Sequence, residues 1–184
     1  YFLMRHGESE NLVKGVPDMI GDPNNHLTQK GRGEVAKINS RKFDVVIASP
    51  FLRTQETAKI IKEDFETDER LHEVGPAEDG VSLRKRMGEV LFNIDKKYQN
   101  KNILIVSHGM PMWVLERVAE GRQSNDFKSG EQLRPAEVKS ISFTSFPHND
   151  NFELDLHRPY IDEIVLEKNG KTLKELTREY EKIF

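Results

Sequence analysis

Residues Tyr1-Phe-Leu-Met-Arg-His-Gly-Glu-Ser-Glu10 (YFLMRHGESE) decide the fold. Four apolar residues run without a break into Arg5, His6 and Gly7. An uninterrupted apolar run of this length, ending on a glycine turn, is the pattern of a short strand buried on both faces of a parallel sheet. Two further runs share that character, Val45–Ala48 and Ile103–Val106. Each also ends on polar residues: Ser49-Pro50-Phe-Leu-Arg53 after the second, and Ser107-His108-Gly109 after the third.

Helical periodicity lies between the runs. Thr54, Ala58, Ile61 and Phe65 recur at spacings of three and four, as do Leu83, Met87, Val90, Ile94 and Tyr98, and a weaker helix is expected over Thr28 to Ile38. Strands alternating with helices predict an α/β fold, a three-layer α/β/α sandwich on a mainly parallel central sheet. Further strands are expected at Thr67–Val74 and Val138–Ser145, and a polar surface loop or lid at Gly121–Gln132. The reading divides the chain into a domain over 1–146, a linker over 147–152 containing a solvated His148, and an extension over 153–184. That extension reads as a strand at Glu163–Lys168, an Asn169-Gly170 turn and an amphipathic helix carrying Leu173, Leu176, Tyr180 and Ile183.

Composition narrows the function. The chain has 184 residues, 36% apolar and 32% charged, with a net charge of −3. That balance gives no general attraction to nucleic acid or anionic membrane, so any anion site must be local. The absence of cysteine excludes disulfides, thiolate catalysis and cysteine-based zinc sites, and is in keeping with a cytoplasmic location. No run of apolar residues reaches the roughly 18 needed for a membrane span. Because Tyr1 already stands in a strand pattern, the chain is expected to be a piece of something longer or to have a trimmed terminus.

In open parallel sheets, ligands bind beyond the carboxyl ends of the strands. Arg5, His6, Arg53 and His108 all fall at that edge. Ser49 is expected to cap one helix, with Pro50 in its first position, and Pro111 marks the start of another. Helix N-termini and arginine forks suit a tetrahedral dianion such as a phosphoryl group. A metal held by His6 and His108 is the competing reading, and the adjacent arginines, which would repel a cation, argue against it.

These residues resemble the histidine phosphatase superfamily, the phosphoglycerate-mutase-like fold, over about residues 1–146. LMRHGESE (3–10) resembles its nucleophile motif, LTQKGRGEVA (27–36) its first helix, SPFLRTQETA (49–58) its second-arginine motif, and LIVSHG (104–109) its second-histidine motif. The resemblance implies that His6 becomes phosphohistidine while Arg5, Arg53 and His108 hold the phosphoryl oxygens. It assigns the general acid to Glu73 in ERLHEVG (69–75), with Glu69 and Glu78 less well placed, and it implies neither metal nor cofactor. One position departs from the family: Leu12 stands where an asparagine is frequent, leaving Asn11 and Ser9 as candidate phosphate donors. His26 and His72 read as surface or supporting groups, and Lys14, Lys30 and Arg32 as entrance or solvated surface residues. Only one helix separates Glu73 from His108, too little for the long insertion of the mutases. The resemblance therefore favours a phosphohydrolase acting on a small phosphomonoester.

The tail points elsewhere. ELDLHRPYIDEI (153–164), continuing weakly through VLEKNGKTLKE, resembles a segment of isoleucyl-tRNA synthetases. This implies a phosphatase-like domain inserted in such an enzyme, with tRNA as a partner through the parent and His157 and Arg158 structural or tRNA-facing. No HIGH-type or KMSKS-type motif is present, so this chain would not aminoacylate. A phosphate-binding module without turnover, or a structural insertion, is the alternative function. Oligomeric state and the particular substrate are left open.

Overall fold

Leu3, Met4, Leu104, Ile105 and Val106 are wholly buried, so the first and third apolar runs lie side by side at the centre of the molecule. The computed structural model describes residues 1–38, 43–123 and 132–155. The strands are β1 (Phe2–Arg5), β2 (Val45–Ala48), β3 (Glu66–Thr67), β4 (Ile103–Ser107) and β5 (Val138–Ser140). They form one sheet in the order β3-β2-β4-β1-β5, parallel except for β5, which pairs antiparallel with β1. The helices are α1 (Glu10–Lys14), α2 (Gln29–Ala36), α3 (Leu52–Ile61), α4 (Gly80–Lys97) and α5 (Gly109–Ala119).

Two apolar clusters sit on opposite faces of the sheet. Met4, Val46, Ala48, Leu104 and Val106 pack with Val35 of α2 and with Ala58 and Ile61 of α3. Leu3, Ile47, Ile103 and Ile105 pack with Met87, Val90, Leu91 and Ile94 of α4 and Met112, Leu115 and Val118 of α5. This is the expected three-layer sandwich, stabilised by about 1.5–3 kcal/mol for each fully buried aliphatic side chain. The helices respect the local signals: Thr28 caps α2 by accepting from Gly31 N, and Asp79 caps α4 by accepting from Ser82 N.

Strand order places the site. Helix α2, which follows β1 and α1 in the chain, covers one face, and α5, which follows neighbouring β4, covers the other. A crevice therefore opens beyond the carboxyl ends of β1 and β4, where His6 and His108 follow directly. Gly31 lets α2 press against this turn, since a Cβ there would lie 2.2 Å from Glu8 O.

Several expectations need correction. The strand expected at Thr67–Val74 stops at Thr67, and a 3-10 turn follows at Glu69–Leu71 because the Asp68 side chain accepts from Arg70 N. The strand expected to reach Ser145 stops at Ser140, because its partner β1 begins at Phe2 and leaves only Tyr1 O for Ile141 N. Ser49 does not cap α3, whose N-cap is Phe51 without a side-chain bond. Phe65 and Tyr98 lie beyond the ends of α3 and α4.

Residues 147–155, read as a linker and the start of an extension, lie against the domain. Arg84 donates to the carbonyls of Asn151 (2.7 Å), Phe152 (2.9 Å) and Arg122. Phe152 rests on Gly88, where a Cβ would sit 2.1 Å from the ring. His148 is half-buried, stacked on Phe152 with centroids 4.4 Å apart and edge-on to Phe92, so it is not the solvated residue expected. The lid core and the strand, turn and helix of the tail fall outside the described residues, as does most of the segment that resembles a synthetase.

Candidate active site

His6 N donates to Ser107 O at 3.0 Å, continuing the β1–β4 ladder one residue past β1. That bond brings the two histidines together, with ring centroids 5.3 Å apart. Gly7 N donates to Thr57 Oγ1 (3.1 Å), and Thr57 Oγ1 donates to Arg53 O (2.7 Å), so the first turn and α3 are locked together. Arg53, in the first turn of α3, is thereby held between the rings.

The hydrogen bonds fix the tautomers. His6 Nδ1 lies 2.8 Å from Gly7 O, which can only accept, so Nδ1 carries the proton. Arg53 Nε donates to His6 Nε2 at 3.2 Å, and that nitrogen therefore presents a lone pair. Arg53 Nη2 donates to His108 Nδ1 at 3.0 Å, leaving His108 Nε2–H to donate to Ser49 Oγ at 2.9 Å. Both rings are neutral. Burial, and then the Arg53 charge, push the His6 pKa down to about 3 and the His108 pKa well below the ordinary value.

Glu73 behaves in the opposite sense. Its carboxylate lies 3.9 Å from His108 Nδ1 and accepts from Val74 N at 3.0 Å. Burial raises its pKa, and that outweighs the Val74 hydrogen bond and the Arg53 and Arg5 charges, which lower it. The segment carrying it is clamped from two sides. Ser107 Oγ donates to Leu71 O at 2.6 Å, and Arg86 of α4 donates to the carbonyls of Arg70 and His72 while pairing with Glu78 at 2.6 Å. Glu78, a weaker candidate for the acid, is thus committed to Arg86.

Arg5 donates to Leu133 O at 3.2 Å, and its Nε is the buried side-chain donor without a partner among the described residues. A buried, unsatisfied guanidinium donor in a crevice is a ready contact for an anionic oxygen. Ser9 and Asn11 line the same cavity, of about 410 Å³, with Asn11 Nδ2 also donating to Asp22 at 3.3 Å. His26 and Arg32 both pair with Glu56, Lys30 with Glu8 and Lys14 with Glu10, so none of the expected entrance residues stands free. His72 Nδ1 donates to Glu73 O at 2.6 Å, beside the site.

Asp18 was missed in the sequence. It pairs with Arg53 Nη1, its main-chain oxygen accepts from Arg53 Nη2 (3.1 Å), and its carboxylate also accepts from Asn25 (2.7 Å), Gly21 N and Asp22 N (both 2.9 Å). Burial raises its pKa, but these hydrogen bonds and the Arg53 charge prevail and hold it below the usual carboxylate range. Asp18 lies in a polar loop without periodicity, and Ser49 and Arg86 look like a cap and a surface helix residue; no local signal marks them.

Comparison with known proteins now bears on this site. The family model described as histidine phosphatase superfamily (branch 1) matches residues 1–80 and 72–149. The chain belongs to the histidine phosphatase superfamily. No curated protein sequence matches it. Among solved structures, it is similar to phosphoserine phosphatase from Entamoeba histolytica in complex with 3-phosphoglyceric acid, with 21% identity and a TM-score of 0.64, covering 74% of this chain and 87% of that one. Bacillus stearothermophilus YhfR gives 21% identity and a TM-score of 0.65 with the same coverages. The mycobacterial glucosyl-3-phosphoglycerate phosphatase gives 16% and 0.64, covering 74% and 86%. These likenesses establish the fold. The described residues contain no helix long and apolar enough to cross a membrane.

The buried neutral histidines make stability depend on pH. Each has a folded pKa below its unfolded value of about 6.5, so its contribution is complete above that pH and is lost as pH falls. Stability is expected to drop by up to about 1.4 kcal/mol per pH unit for each ring below pH 6.5. Thermal unfolding at pH 7, 6 and 5 checks this, and His6→Asn should flatten the slope. An unchanged slope would mean that His6 is not held neutral by the fold.

Proposed function

We propose that this chain is a phosphomonoester hydrolase working through a phosphohistidine on His6, with no metal or cofactor in the step. One observation carries the reading: Gly7 O holds the His6 proton on Nδ1, so that Nε2 faces the two arginines as a neutral nucleophile. A pure anion-binding module needs neither that tautomer nor a carboxyl group of raised pKa beside it.

Substrate entry exchanges the Arg53–His6 hydrogen bond for contacts from Arg53 and Arg5 to the phosphoryl oxygens. His6 Nε2 attacks phosphorus as the ester P–O bond breaks, and protonated Glu73 delivers its proton to the leaving oxygen. Glu73, now a carboxylate, takes a proton from water; the water oxygen attacks phosphorus, the N–P bond breaks, and inorganic phosphate leaves. A dianion beside His108 favours a proton on its Nδ1, giving the phosphoryl group one more donor.

Glu73→Gln tests the acid. Its kcat/KM should fall by about 10²–10⁴-fold for an alkyl phosphate but far less for 4-nitrophenyl phosphate, whose leaving group needs little protonation. Equal losses on both would assign Glu73 a structural role. The covalent step is tested by rapid acid-free quenching with 32P-labelled substrate in the presence of EDTA. A base-stable, acid-labile label located on His6 is expected, and a turnover-competent protein without it would sink the mechanism.

We further propose a cellular context. A cysteine-free chain suits the cytoplasm. The resemblance at 153–164 supports placement within an isoleucyl-tRNA synthetase, with tRNA reached through that parent, and sequencing the flanking gene decides it.

A further inference from the structure

Eight large apolar residues are notably exposed among the described residues, and four of them, Leu12, Val16, Met19 and Met110, line the cavity above His6. They come from three separate places: α1, the loop after it, and the first turn of α5. Val74 and Pro17 extend the same wall. A soluble domain scatters single exposed apolar residues without consequence, but a wall of them converging over a polar floor is the usual form of a ligand pocket.

Charge sharpens the picture. Arg5 and Arg53 are the cations among the described residues that line the cavity, and both face the phosphoryl position. The other acidic lining groups are Asp18, held as a carboxylate, and Glu73, the proposed acid. Among the described residues, a second anionic group on the substrate would therefore meet the two acidic side chains, the amides of Asn11 and Asn25, the Ser9 hydroxyl and apolar carbon, with no further cation to pair it.

We propose that the substrates of this site are phosphomonoesters of apolar alcohols, such as medium-chain alkyl or arylalkyl phosphates, and that phosphorylated hydroxy acids are rejected. The proposal rests on the phosphatase reading and names its substrate class. The phosphate binds the arginine floor, and the carbon chain lies against Leu12, Val16, Met19 and Met110. The continuity of wall and floor in one cavity commits this surface to the leaving group.

The test compares hexyl phosphate, glycerol 3-phosphate and 3-phosphoglycerate, all esters of primary alcohols, so leaving-group reactivity is nearly matched. Hexyl phosphate should exceed glycerol 3-phosphate in kcat/KM by about 10²-fold, the effect of burying three or so methylenes. 3-Phosphoglycerate should be the poorest of the three. Leu12→Asn with Met19→Ser should bring the hexyl-to-glycerol ratio down by about tenfold. Equal turnover of all three, or a preference for 3-phosphoglycerate, overturns this substrate class and leaves the phosphatase standing. No turnover of any of them overturns both.

Discussion

His6→Ala is expected to lower kcat on any phosphomonoester by about 10⁴–10⁶-fold, the scale found when a covalent nucleophile is removed from a site that otherwise remains intact. The size follows from the geometry. Among the described residues no other imidazole is presented for attack: His108 has its Nδ1 lone pair engaged by Arg53 and its other nitrogen directed at Ser49. Phosphate affinity should survive, since the floor donors remain, and removing the Nε2 contact frees one Arg53 donor. A steady-state assay on 4-nitrophenyl phosphate beside equilibrium binding of inorganic phosphate reads both. Residual activity within tenfold of the parent would mean that water attacks directly and that no phosphohistidine forms.

The second large effect belongs to Arg53. Its guanidinium touches both histidines and Asp18 from a site only 4% exposed, so every donor is spent inside the pocket. Arg53→Ala should lower kcat/KM by about 10³-fold or more, because several donors to the transferring phosphoryl group vanish together. Arg53→Lys should recover little, since a point charge cannot replace a fork that bridges two rings and a carboxylate. The alanine variant also takes away the charge partner of Asp18, leaving only its Asn25, Gly21 and Asp22 donors, and so destabilises the fold. Unfolding would then mimic inactivity. Arg53→Ala combined with Asp18→Ala separates the two: stability should return towards the parent while activity does not. Recovery of activity in the double variant would show that Arg53 serves the fold, not the phosphoryl group.

Asp18 gives this pair an added meaning. Its carboxylate already occupies one arm of Arg53, which an incoming phosphoryl oxygen must share or displace. The network around Asn25, Gly21 and Asp22 holds that carboxylate charged. It thereby keeps Arg53 aimed between the rings before substrate arrives.

The sequence by itself determined the layers of the sheet and the four residues at its edge. Continuous apolar runs at Tyr1–Met4, Val45–Ala48 and Ile103–Val106 mark strands buried on both faces, and the helical periods between them fix the alternation. Once the strands are parallel, Arg5, His6, Arg53 and His108 must meet at one end, because each follows its strand directly or sits in the next helix's first turn. Local pattern was therefore enough to bring these four residues together. It failed where a partner is remote. β5 ends early because β1 supplies no more edge, Ser49 turns to His108 fifty-nine residues away in place of capping its own helix, and His148 packs on Phe92. Asp18, Arg86 and the apolar wall are of the same kind. Their roles come from side chains brought together by the parallel pairing of β1 with β4 and the packing of helices on that sheet, and no spacing along the chain encodes such a meeting; only the tertiary structure decided them.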